Sequence, residues 1–220
     1  MSLSIKEKVK AITKLLFEPK VFYKFISFRA FGYIMETGWL PSFKSGKPVD
    51  FNLEPIPWFT YAAIDFLKGK LNKNLSVLEL GSGNSTFFFS ERVADITSLE
   101  HSKVWYQEIL NKIPSNVELI FTGSNTAEEY LKPISKTDKK FDIIIIDSIF
   151  RNECLVECLN YLTDQGIIIF DDTERNEYLE GIEFAVKEGF KKLDFSGIAP
   201  GIFFRKCTTI FYKENNCFNI

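Results

Sequence analysis

The chain has 220 residues, 45% of them hydrophobic with 23 phenylalanines, and a net charge of −2 with a pI near 5.7. That size and apolar content suit one α/β domain with a short extension, and the charge balance excludes a protein drawn to nucleic acid by its overall field. Cys154, Cys158, Cys207 and Cys217 lack paired metal-ligand spacing, no apolar run reaches the ~18 residues of a membrane span, and no secretory leader pattern is evident, so a cytoplasmic protein is expected.

Residues 4–17 place Ile5, Val9, Ile12, Leu15 and Leu16 at helical spacing, with Lys6, Lys8, Lys10 and Lys14 between them. Beyond Pro19, residues 21–31 continue with Phe22, Phe25, Ile26 and Phe28, flanked by Lys20, Lys24 and Arg29. This segment is more basic than the rest. The favoured reading is a helical cap packed over the domain or against a second subunit, since most amphipathic helices show a solvated charged face. The other reading is a peripheral membrane contact, an interfacial helix on anionic lipid. Residues 38–55 are rich in Gly, Pro, Ser and Asn and read as a loop wrapping toward a ligand site. The extension is therefore assigned to residues 1–54 and the main domain to residues 55–220. Pro57 opens a predicted helix to about Lys70 with Ala62, Ala63, Ile64, Phe66 and Leu67 on its apolar face.

Val77, Leu78 and Leu80 then form a buried strand, followed by the turn Gly81-Ser82-Gly83-Asn84 and a helix that Ser85 and Thr86 are expected to cap. Residues 96–99 read as a second strand with Glu100 at its end. A strand, a glycine turn, a helix and a second strand ending in an acid is a mononucleotide-binding unit, the acid being placed for ribose hydroxyls. Thr86 stands where a dinucleotide fingerprint wants its third glycine, and Glu79 would repel a pyrophosphate. The run Glu79-Leu80-Gly81-Ser82-Gly83-Asn84 resembles motif I of class I S-adenosylmethionine (SAM) methyltransferases, and Glu100 matches their ribose-binding acid. Ser85 departs from the third glycine of many members. The resemblance extends over about residues 55–213, and the combination of motifs looks like an uncharacterised bacterial group of small methyltransferases.

His101 directly follows Glu100 and is read as an adenine or cofactor contact at a helix entry. After a third strand, 117–121, Ser124 and Asn125 lie where class I enzymes often contact adenine. The resemblance also implies that the helix ahead of motif I closes over the cofactor, with Trp58 and Tyr61 bordering the site. Residues 141–146 are an unbroken apolar run that belongs to a central parallel strand, ended by Asp147. Residues 166–170 form a fifth strand ended by Asp171-Asp172. Residues 191–196 and 207–213 form two strands whose connection is too short for a crossover helix, so they pair antiparallel. The predicted fold is a seven-stranded Rossmann-like methyltransferase sheet, order 3-2-1-4-5-7-6 with the last strand antiparallel, flanked by helices and carrying an N-terminal helical extension.

The resemblance implies a SAM-dependent methyltransferase, with S-adenosylhomocysteine (SAH) as product. Backbone amides of Gly81, Ser82, Gly83, Asn84 and Ser85 would hold polar groups of the ligand at a helix N-terminus. Glu79 and Asp147 would meet the methionine ammonium, Glu100 the ribose. Asp147, Asp171 and Asp172 are the candidate catalytic residues, as general base or acceptor-positioning groups. They also match, with Asp172 in place of Asn, the carboxylates of cation-dependent catechol-type O-methyltransferases, so Mg²⁺ on these three is an open alternative that is not favoured. No Asn-Pro-Pro-Tyr motif follows the fourth strand, which points to an oxygen acceptor in a small or saccharide-type molecule. A SAM-binding or partner-binding module on the same fold without turnover and, less favoured, a nicotinamide-dependent oxidoreductase remain the alternatives, and nucleic acid is disfavoured because the basic residues concentrate at the N-terminus.

Overall fold

The computed structural model describes residues 4–28 and 30–220. Arg29, named above as a flank of the basic segment, lies outside the described residues. Among them, one sheet holds β1 (Ser76–Leu80), β2 (Asp95–Glu100), β3 (Val117–Phe121), β4 (Phe141–Ile146), β5 (Leu162–Asp171), β6 (Lys191–Ala199) and β7 (Ile202–Tyr212). Their order is 3-2-1-4-5-7-6. β1 to β5 run parallel, and β7 lies antiparallel between β5 and β6. Topology and strand direction match the expected fold.

The central strands are apolar on both faces because both are covered. Ile143 and Ile145 pack against α5 (Tyr61–Lys68) and α6 (Asn84–Ser90). Ile144 and Ile146 pack against α8 (Ala127–Ser135), α9 (Arg151–Cys158) and α10 (Leu179–Lys187). All four isoleucines are fully buried, each stabilising the fold by about 1.5–3 kcal/mol. Cys154 and Cys158, one helical turn apart, fill the second layer as free thiols. The remaining helix of this half, α7 (Lys103–Leu110), follows β2.

Three local readings are corrected. The stretch 38–55 is not wholly a loop: α4 (Trp39–Ser45) lies within it, preceded by α3 (Tyr33–Glu36). Its polar residues are structural, since buried Ser42 donates its hydroxyl to Val49 O at 2.7 Å and accepts from Val49 N at 3.0 Å. Pro57 does not open a helix. α5 begins at Tyr61, with the Thr60 hydroxyl accepting from Ala63 N at 3.4 Å and donating to Phe195 O at 3.0 Å. The connection between the strands expected at 191–196 and 207–213 is a tight turn at Pro200–Gly201, with Gly201 at φ +70°. Two indoles clasp it, Trp58 Nε1 donating to Pro200 O at 3.0 Å and Trp39 Nε1 to Ile202 O at 3.1 Å, so β6 and β7 extend further than their apolar pattern indicates. In addition, α8 went unread because Pro133 stands inside it and removes a helical hydrogen bond.

At the N-terminus, α1 (Ile5–Leu16) and α2 (Pro19–Ser27) form as the periodicity predicts, and neither contributes a buried residue. Among the described residues no helix is long and apolar enough to cross a membrane.

Candidate functional site

The strand order reverses between β1 and β4, and open α/β sheets bind ligands at the carboxyl ends of the strands beside such a point. A cavity of about 500 Å³ lies there, floored by Gly81, Ser82, Gly83, Asn84 and Ser85 and walled by Glu100, His101, Ser102, Trp105, Asp147 and Ser148. Gly46, Lys47, Pro48 and Trp58 close it from the N-terminal side. Asn84 Nδ2 donates to Pro48 O at 2.7 Å and ties that cover to the turn.

The two turn glycines have different duties. Gly81 has φ +95°, and a Cβ there would lie 2.3 Å from Asp147 O, so both conformation and space exclude a side chain. Gly83 is extended, and a Cβ would meet nothing closer than 3.9 Å, on Trp105. Its open face belongs to the cavity. Trp105 Nε1 donates to Ser82 O at 2.8 Å and holds the turn from the far side.

Glu79 is completely buried beneath the turn and does not line the cavity. Its carboxylate accepts from Ser85 Oγ at 2.5 Å, Thr86 Oγ1 at 2.6 Å and Ser98 Oγ at 2.6 Å. Burial pushes this carboxyl up to about 7 against the three hydroxyl donors. Ser85 and Thr86 therefore lie within the first turn of α6 and serve Glu79, rather than preceding the helix as caps; Thr86 Oγ1 also accepts from Gly83 N at 2.9 Å.

Glu100 lines the cavity from the end of β2. Its Oε2 accepts from Ser82 N at 3.1 Å and Ser82 Oγ at 2.6 Å, and its Oε1 from Ser102 N at 2.7 Å. His101 shares the wall, with Nδ1 3.4 Å from Glu100 Oε1 and lacking a hydrogen-bond partner.

Asp147, Asp171 and Asp172 converge, with one carboxylate oxygen of each within 4.8 Å of the others. Of the three, only Asp147 lines the cavity. Three cations hold the cluster. Arg151 bridges Asp147 Oδ1 at 2.9 Å and Asp172 Oδ2 at 3.0 Å, and Arg175 reaches Asp172 Oδ2 at 2.7 Å. Lys206 Nζ lies 2.6 Å from Asp171 Oδ2 and 2.7 Å from Asp172 Oδ1, while Thr208 donates to Asp171 Oδ1 at 2.8 Å. Burial raises the Asp147 carboxyl despite Arg151, and raises Asp171 to about 7 despite Lys206. For Asp172 burial is outweighed by Lys206, Arg151 and Arg175, and its carboxyl is held low.

This arrangement does not fit Mg²⁺. A hard divalent ion needs oxygen lone pairs facing an open position, whereas these oxygens already accept from guanidinium and ammonium groups. Inserting a second cation would set it against Lys206 and Arg151 at close range.

The other expected contacts lie elsewhere. Ser124 and Asn125 are outside the cavity; Ser124 Oγ is buried without a partner, and Asn125 N donates to Glu129 Oε2 at 3.3 Å at the start of α8. Trp58 is on the cavity wall, but Tyr61 faces a separate hollow shared with Tyr33, Thr37 and Asp50. Burial pushes the Tyr61 phenol up to about 12. The sequence reading missed Lys47, Trp105, Ser148, Arg151 and Lys206. Arg151, at the start of α9, lies four residues past Asp147 and reaches back to it.

No family model matches the chain, and no curated protein matches it. Solved structures do. A putative O-methyltransferase from Klebsiella pneumoniae superposes with a TM-score of 0.53 at 16% identity, covering 86% of this chain and 94% of its own. Precorrin-6y C5,15-methyltransferase from Geobacter metallireducens gives 0.53 at 15% identity over 69% of this chain and 87% of its own. An O-methyltransferase from Bacillus cereus, solved in complex with SAH, gives 0.51 at 19% identity over 63% and 74%. The chain has the class I methyltransferase fold. In this methyltransferase fold the turn at Gly81–Ser85 and the acid at Glu100 stand together at one cavity.

Proposed function

We propose that the protein is a SAM-dependent methyltransferase acting on an oxygen of a small or saccharide-type acceptor. The observation that carries the reading is the union of the Gly81–Ser85 turn, the Glu100 carboxylate and Asp147 around one cavity of a size suited to a nucleoside ligand. Acids on two walls complement a cationic ligand, and they oppose the pyrophosphate of a nicotinamide cofactor. SAM supplies an electrophilic methyl on a sulfonium sulfur. Glu100 accepts from the ribose hydroxyls in place of Ser82 Oγ, and the turn amides orient the ligand's polar groups. Asp147, oriented by Arg151, meets the methionine ammonium or takes the acceptor proton, for which its raised pKa suits it. Asp172 acts through Arg151 as a positioning residue, Asp171 is held by Lys206 and Thr208 behind it, and the reaction proceeds without a divalent metal.

That pairing of Asp171 and Asp172 away from the cavity also favours a second reading, a SAM-binding module without turnover. Calorimetric titration of SAM and SAH on the wild type and on Glu100→Ala tests the cofactor site. The substitution weakens binding by about 1–3 kcal/mol, the range for a lost buried acceptor. No binding of either ligand would sink the reading. Release of SAH with an oxygen nucleophile separates enzyme from module.

A further inference from the structure

α1 and α2 carry an apolar face that no described residue covers. Ile5, Val9, Ile12 and Leu16 are each at least 58% exposed, and Val21, Phe25 and Phe28 at least 40%. At ~100° per residue the four α1 residues fall within an arc of about 60°. Lys6 and Lys8 stand roughly 70–90° to either side of that stripe, and Lys10 and Lys14 lie on the far face. Along α2, Val21 and Phe25, with Phe28 at its C-cap, form the corresponding stripe, and Lys20 and Lys24 stand roughly 70–110° to one side of it. The start of α1 is locally defined: Ser4 N donates to Glu7 Oε2 at 2.8 Å and Glu7 N to Ser4 Oγ at 3.3 Å. A short helix in water is stabilised chiefly by packing its apolar face, so this face requires an occupant.

Charge selects it. Residues 1–31 contain seven Lys or Arg and two Asp or Glu, a net +5 in a chain of net −2, which leaves −7 on the remainder. A second copy would bring like-charged segments together. An anionic surface meets both the stripe and its lysines, while the acidic body is held off it.

We propose that α1 and α2 form a reversible docking surface for an anionic phospholipid membrane. The apolar stripes sink into the boundary between headgroups and acyl chains, and Lys6 and Lys8 extend their stems along it to reach lipid phosphates. The chain lies on the bilayer through these helices, neither of which can span it.

Flotation of the full chain with phosphatidylcholine vesicles, with and without about 30% phosphatidylserine, tests this. Binding is expected only to the anionic vesicles and weakens steeply as salt shortens the screening length. Lys6→Gln with Lys8→Gln lowers affinity about five-fold per charge removed, and Ile12→Asp abolishes detectable binding. Both variants keep the wild-type thermal melt, because the altered side chains are exposed. Absence of binding to anionic vesicles at low salt overturns the proposal, as does equal binding to neutral ones. A dimer in sedimentation velocity that Ile12→Asp dissolves, without vesicle binding, also overturns it and assigns the face to a second copy.

Discussion

The Lys206 ammonium lies 2.6 Å from Asp171 Oδ2, a carboxylate with no solvent exposure. It reaches that position because β7 pairs antiparallel with β5, setting Thr208 opposite Asp171 two residues along from Lys206. A cation fixed to the chain thus sits where three strand-end carboxylates would otherwise repel one another.

Lys206→Met is expected to cost about 3–5 kcal/mol, the range for removing one partner of a buried ion pair, read by urea unfolding. Chelation with EDTA leaves the wild-type melting temperature unchanged. A metal-dependent melt would contradict the internal neutralisation.

Gly81→Ala and Gly83→Ala separate fold from site. The first forces a side chain into a left-handed backbone 2.3 Å from Asp147 O and should destabilise by more than ~2 kcal/mol. The second meets no contact under 3.9 Å and should stay within about 1 kcal/mol of wild type. Its loss appears in SAM affinity instead. Unfolding and titration of both variants check the contrast.

Glu79 makes stability depend on pH. Its carboxyl rises from 4.5 to about 7 in the folded chain, so the folded state holds a proton that the unfolded state releases between those values. This contribution is complete below about 4.5 and is lost as pH rises through about 7. Glu79→Gln removes the titration. The stability of wild type relative to the variant should therefore fall across that window, and a flat difference would exclude the assignment.

Trp105→Phe deletes the 2.8 Å bond to Ser82 O. A stability loss of about 0.5–1.5 kcal/mol is expected from one such hydrogen bond. SAM affinity should drop as well, because Ser82 also bonds Glu100. Parallel unfolding and calorimetry would show whether the two losses accompany each other.

Where side-chain pattern is local, the sequence was legible. The run 141–146 reads as a central strand because both its faces are buried, and Glu100 follows from its distance along the chain after Gly81. The glycine turn was legible as a turn, although only Gly81 needs the glycine conformation. Lys206 was not legible, since its partners lie some 35 residues earlier in the chain and meet it only through strand pairing. Trp105 and Lys47 reach the cavity by tertiary packing, which no periodicity announces. The helix α4 hid behind small polar residues whose hydrogen bonds are internal.

Two of the chain's three indoles, Trp58 and Trp105, line the cavity, while Trp39 is 4% exposed in the core. Occupancy of the cavity is therefore written into the protein's own ultraviolet emission, with Trp39 as a constant background. Replacing Trp58 and Trp105 singly by Phe would separate the light from the two walls, so an unlabelled sample can report which side a given molecule touches.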